Sequence, residues 1–147
     1  MKKTSLLFLS LILSFQIISA VGFEMKDEFK LGETLLAKIS GNFLQPILKE
    51  NILFYRGHVK IPIIYDFAKI NNEYYLYAQL LGKEKNNYSI VIENVRYMKG
   101  AETSEDNIIK NFTITNETAD FTVNPGFVIT NESFFIEVQN LQDSEIT

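Results

Sequence analysis

Few residues of this chain are able to do chemistry. His58 is the single histidine and there is no cysteine. It follows Tyr55-Arg56-Gly57 and reads as the exit of a tight turn between two strands. A catalytic histidine works with a nucleophile and an orienting carboxylate. No G-x-S-x-G motif accompanies this one, and a zinc site built on it would lack a second histidine and any thiolate. Glu102, Glu105 and Asp106 cluster between Gly100 and Asn107. Oxygen-rich loops of surface domains hold Ca²⁺ when a D-x-D-x-D-G spacing wraps the ion. That spacing is missing, so the cluster reads as a solvated acidic loop. Nothing singles out the pair of carboxylates that glycoside hydrolysis needs. The expectation is a protein that is not an enzyme, with no metal and no cofactor.

Two other sets of residues point to binding and to modification. In "YYLYAQL", Tyr75 and Tyr77 fall opposite Tyr74, Leu76 and Ala78. If exposed, the two rings form a strip able to stack on sugar rings or on a partner protein. The alternative is that both rings pack in a contact between sheets or modules, and the absence of Trp weighs against sugar. Asn87-Tyr88-Ser89, Asn111-Phe112-Thr113, Asn116-Glu117-Thr118 and Asn131-Glu132-Ser133 are acceptor triplets for asparagine-linked glycans. Their use requires export and a host that performs the modification. Glu117-Thr118-Ala119-Asp120 reads as exposed linker, which makes Asn116 the preferred acceptor.

The elements that must position these residues are strands. "HVKIPIIYDF" sets Val59, Ile61, Ile63, Tyr65 and Phe67 against His58, Lys60, Pro62, Ile64 and Asp66, the period-two pattern of a half-buried strand. Pro62 cannot donate a ladder hydrogen bond, which places this strand at an edge or at a bulge. "TLLAKIS", "YYLYAQL", "YSIVIENV" and "NIIKNFTIT" alternate in the same way. Arg56-Gly57, Asn71-Asn72, Gly82 to Asn87 and the longer Gly100–Asn107 stretch separate them, with residues that tolerate the positive φ of tight connections. The spacing predicts about seven strands: near Phe29–Leu31, Thr34–Ser40, Ile52–Tyr55, Val59–Phe67, Tyr74–Leu80, Tyr88–Tyr97 and Ile108–Thr115. "FLQPILKENI" offers at most one helical turn, broken by Pro46. The fold class is all-β, an antiparallel immunoglobulin-like sandwich.

The ends of the chain carry organisation. Met1-Lys2-Lys3, the apolar run Leu6 to Ile18 and the small residues of "ISAVGF" have the layout of a secretory signal peptide. The run would span about 20 Å as a helix against a hydrocarbon core of ~30 Å. Cleavage after Gly22 is preferred, with Ala20 as the alternative. Removing Lys2 and Lys3 takes the basic count from 14 to 12 against 18 acidic residues, a net charge of −6. Such a chain does not attract phosphate backbones, so nucleic acid and anionic lipid are not expected partners. After the signal no run reaches membrane-spanning length, and an anchor would lie outside this chain. Without disulfides the module must rely on its core, for which twelve Phe and seven Tyr are available.

Two local features sharpen the architecture. "FKLGET" is an aromatic, a spacer, Gly32 and then the first long strand. "NNYSIVIENV" is a tyrosine heading an alternating strand. Together they resemble the opening segment and the Tyr-headed late strand of immunoglobulin-like, fibronectin-III-like and macroglobulin-like modules of microbial cell-surface proteins. The resemblance covers about 90 residues. It implies that Tyr88 packs inward and ties its hydroxyl to nearby backbone. In the tail, Phe121-Thr122-Val123-Asn124-Pro125-Gly126 is similar to Phe29-Lys30-Leu31-Gly32. Gly32 and Gly126 stand 94 residues apart, about one module length. The expected organisation is therefore 1–22 signal peptide, 23–116 sandwich, and 117–147 linker and start of a second, incomplete β-module. The alternative is that the last strands fold back onto the first module.

The functional expectation is a secreted or cell-surface module with a structural or adhesive role in a tandem array, whose partners are neighbouring β-modules of the same protein. The alternative is an extracytoplasmic sandwich that binds carbohydrate or protein through Tyr75 and Tyr77. A third reading is an accessory module of a secreted hydrolase.

Overall fold

The structure, a computed structural model, describes residues 20–142. Most of the expected signal segment, residues 1–19, lies outside the described residues. Among the described residues no helix is long and apolar enough to cross a membrane.

Among the described residues eleven strands follow one another: β1 (Val21–Met25), β2 (Glu28–Leu31), β3 (Thr34–Gly41), β4 (Ile52–Arg56), β5 (Val59–Lys60), β6 (Tyr65–Ile70), β7 (Glu73–Gln79), β8 (Asn86–Lys99), β9 (Glu102–Thr118), β10 (Phe121–Asn124) and β11 (Glu137–Asn140). One 3₁₀ turn, Lys49–Asn51, precedes β4. The strands form a four-stranded sheet in the order β1-β3-β7-β6, a five-stranded sheet in the order β2-β9-β8-β4-β5, and a two-stranded sheet of β10 and β11. The two larger sheets face each other as an all-β sandwich, with the strand order of an immunoglobulin-type fold. The opening strand is divided: β1 pairs antiparallel with β3 in one sheet, while β2 crosses to the other and runs parallel to β9.

Alternation decides the core. From the four-stranded sheet come Leu35, Ala37 and Ile39, then Tyr74, Leu76 and Ala78, with Leu80 just past the end of β7. From the other sheet come Phe29, Ile52, Phe54, Tyr88, Ile90, Ile92, Phe112 and Ile114. Phe112 holds the second sheet's aromatic cluster together, with Phe29 edge-on at 5.6 Å and Tyr88 stacked at 5.5 Å. Each large side chain so buried contributes roughly 1.5–3 kcal/mol relative to exposure.

Tyr88 is buried, and its hydroxyl donates to the Glu84 carbonyl at 2.7 Å. The inward packing and the backbone tie expected of it are both present.

Two expectations are corrected. Val59–Phe67 is not one strand: β5 pairs with β4 in one sheet and β6 with β7 in the other, both at sheet edges. Pro62 lies in the crossing segment between them, where its missing N–H costs no ladder bond. Gly100–Asn107 is not a loop. Gly100, at φ 66°, makes the turn, and Glu102 to Asp106 pair with Lys99 to Val95 as the far end of the β8–β9 hairpin. The strand β1 was not expected, because the cut after Gly22 was placed inside what the structure shows as its pairing with β3.

Candidate functional site

The outer face of the four-stranded sheet is where the tyrosine strip falls, and the tail of the chain crosses it. On β3, Leu36 and Lys38 point outward; on β7, Glu73, Tyr75, Tyr77 and Gln79 do. β10 hangs on the start of β3. The Thr34 hydroxyl donates to the Val123 carbonyl at 2.8 Å and accepts the Val123 N–H at 3.0 Å, with the Thr122 hydroxyl 3.1 Å away. The chain then runs over Tyr77. A Cβ placed on Gly126 would lie 2.6 Å from Tyr77 Cβ and 3.1 Å from Leu36 Cδ2, so only glycine lets the backbone approach this closely. Phe127 meets the Tyr77 ring edge-on at 5.2 Å. After β11, the Leu141 N–H donates to the Asp120 carbonyl at 2.9 Å and Gln142 Nε2 to the Thr118 carbonyl at 3.1 Å, which closes the segment back on the end of β9.

The two tyrosines therefore differ. Tyr77 is 7% exposed, and its face is taken by the tail. Tyr75 keeps an open side. Its hydroxyl donates to Glu73 Oε2 at 2.9 Å, and Lys38 Nζ lies 2.8 Å from Glu73 Oε1. The hydrogen bond from Lys38 holds the Glu73 carboxyl below the usual range, the same bond raises Lys38, and the bond to Glu73 raises the Tyr75 hydroxyl. Beside this charged rim is an apolar cavity of about 400 Å³, walled by Leu36, Ile70, Tyr75, Phe127, Val128 and Ile129. It can take an aliphatic or aromatic group, with Glu24 and Lys38 at its edge. The Thr34 clasp was missed in sequence reasoning. A threonine at the head of an alternating strand carries no signal that a segment 89 positions away will bond to it.

The remaining residues stand apart. His58 is exposed in the turn between β4 and β5. Glu105 lies 3.3 Å from Arg96, and Asp106 accepts the Tyr97 hydroxyl at 2.8 Å. Among the described residues no group of three or more His, Cys, Asp or Glu side chains is placed to hold a metal ion. Asn87, Asn111, Asn116 and Asn131 are all exposed. Asn116 lies within β9, not in a linker, and Ala119 beyond it is buried, with its N–H bonded to the Leu31 carbonyl.

The fold and this face together define an all-β sandwich with a strapped outer sheet. No protein-family model matches the chain, and no curated protein matches it.

Proposed function

We propose that this chain is an exported, non-enzymatic surface module with a structural or adhesive role in a tandem array of β-modules, glycosylated at one or more of its acceptor triplets. The observation that supports it is the exposed apolar side of the β10–β11 segment. Phe134, Phe135, Ile136 and Val138 are exposed there, Phe135 to 93%, and β11 is exposed at every position. Contiguous exposed apolar side chains of this kind mark a surface that a partner covers. In a tandem array that partner is the neighbouring module. Chymotryptic cleavage after Phe134 and Phe135 tests the reading. On intact cells the hairpin is protected by its neighbour, and in the isolated chain it is cut. Equal cleavage in both, or recovery of the protein from the cytosolic fraction, overturns it.

The cavity beside Tyr75 favours a second reading, an extracytoplasmic sandwich that binds a protein partner. Its walls are mostly apolar, and the ring of Tyr77 is not free to stack, so the ligand class is an apolar side chain of a protein and not a sugar. Binding that survives Tyr75→Ala and Leu36→Asp counts against it.

A further inference from the structure

We infer that Asn87 and Asn111 are paired acceptors of asparagine-linked glycans on the outer face of the five-stranded sheet, and that the two glycans cover the apolar row Leu53, Val91 and Ile109 beside them. This rests on the exported, glycosylated reading proposed above and names the sites and their purpose. The pairing of β8 with β9 sets Asn87 opposite Thr113 and Ser89 opposite Asn111. The two acceptor triplets thus lie head to tail across one strand pair, each asparagine facing the hydroxyl residue of the other. The residue between, Tyr88 in one triplet and Phe112 in the other, is buried and stacked on its counterpart. Alternation therefore holds both asparagines outward, and both are exposed.

As diagonal neighbours on one face, the two positions stand about 7–8 Å apart, so their first sugars lie side by side. An open depression of about 580 Å³ receives them, lined by Asp27, Gly57, Asn87, Ser89, Asn111 and Thr113. The Thr113 hydroxyl donates to Asn87 Oδ1 at 3.0 Å. That bond uses the carboxamide oxygen and leaves the nitrogen, the atom on which a glycan is built, without a partner among the described residues. Two positions along, the same face carries Leu53, Val91 and Ile109 in register, with Ile109 61% exposed. The C–H faces of sugar rings can rest on such a row and take it out of water. None of the strands of the four-stranded sheet carries an acceptor triplet, so the glycan-bearing side is opposite the side crossed by the tail.

The transfer consumes a lipid phosphate- or pyrophosphate-linked oligosaccharide. The asparagine nitrogen attacks the anomeric carbon, a C–N bond forms, and the C–O bond to phosphate breaks. The lipid phosphate leaves with the electron pair, and the nitrogen loses one proton.

Glycopeptide mass mapping of the protein isolated from the cells that make it tests the sites. Saccharide on both Asn87 and Asn111 is expected. Either one bare overturns the pairing, and glycan on Asn116 or Asn131 alone does so while leaving the surface reading intact. A chain recovered from the cytosol sinks the surface reading itself. Purpose is read separately. Ser89→Ala with Thr113→Ala removes both acceptors without touching either asparagine, and Thr113→Ser retains the Asn111 acceptor. Sedimentation is expected to show at least a several-fold rise in self-association for the double variant and none for Thr113→Ser. Unchanged self-association in the double variant overturns the covering of the apolar row.

Discussion

Phe29-Lys30-Leu31-Gly32 and Phe121-Thr122-Val123-Asn124-Pro125-Gly126 share a pattern, yet Phe29 is 2% exposed and Phe121 is 47% exposed. The difference lies in what stands opposite. Phe29 closes on Phe112 inside a sandwich of nine strands. Phe121 belongs to a two-stranded sheet, and its neighbour Thr122 is the residue turned inward, toward Thr34. The glycines differ as well. Both leave no room for a Cβ, against Leu141 at Gly32 and against Tyr77 at Gly126, but Gly32 alone of the two adopts a positive φ, +80°, which side chains disfavour. A local pattern fixes how a strand begins; burial depends on whether a second layer is there to meet it.

The largest effect that sharpens this contrast is expected at the two phenylalanines. Phe29→Ala removes a fully enclosed ring and is expected to destabilise the sandwich by about 3–5 kcal/mol. Phe121→Ala is expected to stay within about 0.5 kcal/mol. Urea unfolding followed by tyrosine fluorescence compares them, and equal losses would break the contrast by placing the hairpin inside the cooperative unit. Next comes Gly126→Val, whose side chain cannot fit against Tyr77 and Leu36. Its expected cost is roughly 1–3 kcal/mol, confined to the tail. Hydrogen exchange should show β10 amides losing protection while those of β3 and β7 keep it. Loss in all three would mean that strap and sandwich unfold as one.

Much of the sandwich is legible in the sequence because period-two alternation and turn residues are local signals. The strands near Thr34, Ile52, Tyr74 and Tyr88 stand close to where they are expected, and Tyr88 makes the backbone tie that the resemblance implies. What escaped reading is non-local. Nothing in "HVKIPIIYDF" states that its two ends serve different sheets, since both ends alternate equally well. Glu102 to Asp106 look like a loop because acidic residues suit solvent, yet they lie on a stretch of β9 whose side chains are mostly exposed, while the buried contacts of this hairpin come from Val95 and Tyr97 on β8. The site was half legible. Alternation put Tyr75 and Tyr77 on one face, but which of them stays open depends on Gly126 and Phe127, some fifty positions later.

Smaller effects separate the fastenings of the two regions. Tyr88→Phe deletes a part-buried hydroxyl and its bond to the Glu84 carbonyl, at an expected cost of about 1 kcal/mol to the sandwich. Thr34→Val deletes both bonds that hold Val123 and should cost a similar amount, about 1 kcal/mol, in the tail alone. Hydrogen exchange of the Val123 amide distinguishes them: it should accelerate in Thr34→Val and remain slow in Tyr88→Phe. The opposite order would mean that the clasp does not hold the tail.

The smallest effect is that of pH, and it too should touch one region only. The sandwich rim carries Lys49–Asp66, with Nζ 2.8 Å from Oδ1, whereas β10 is held by threonine and backbone groups that do not titrate. The hydrogen bond from Lys49 holds the Asp66 carboxyl below its ordinary value, and the bond from the Phe67 N–H acts in the same direction. A carboxyl lowered in the folded state contributes stability above its unfolded pKa of about 4, lost as pH falls through the lowered folded value. The same pair raises Lys49, whose contribution is present below about pH 10.4 and lost as pH rises through the raised value. Both groups are half exposed, so solvent screening keeps the effect small. Stability measured from pH 5 to pH 2 is expected to fall less in Lys49→Met than in the unaltered chain, with the exchange rate of the Val123 amide, corrected for intrinsic pH dependence, unchanged. Acid-induced release of that amide would show that the tail is fastened through the charged rim after all.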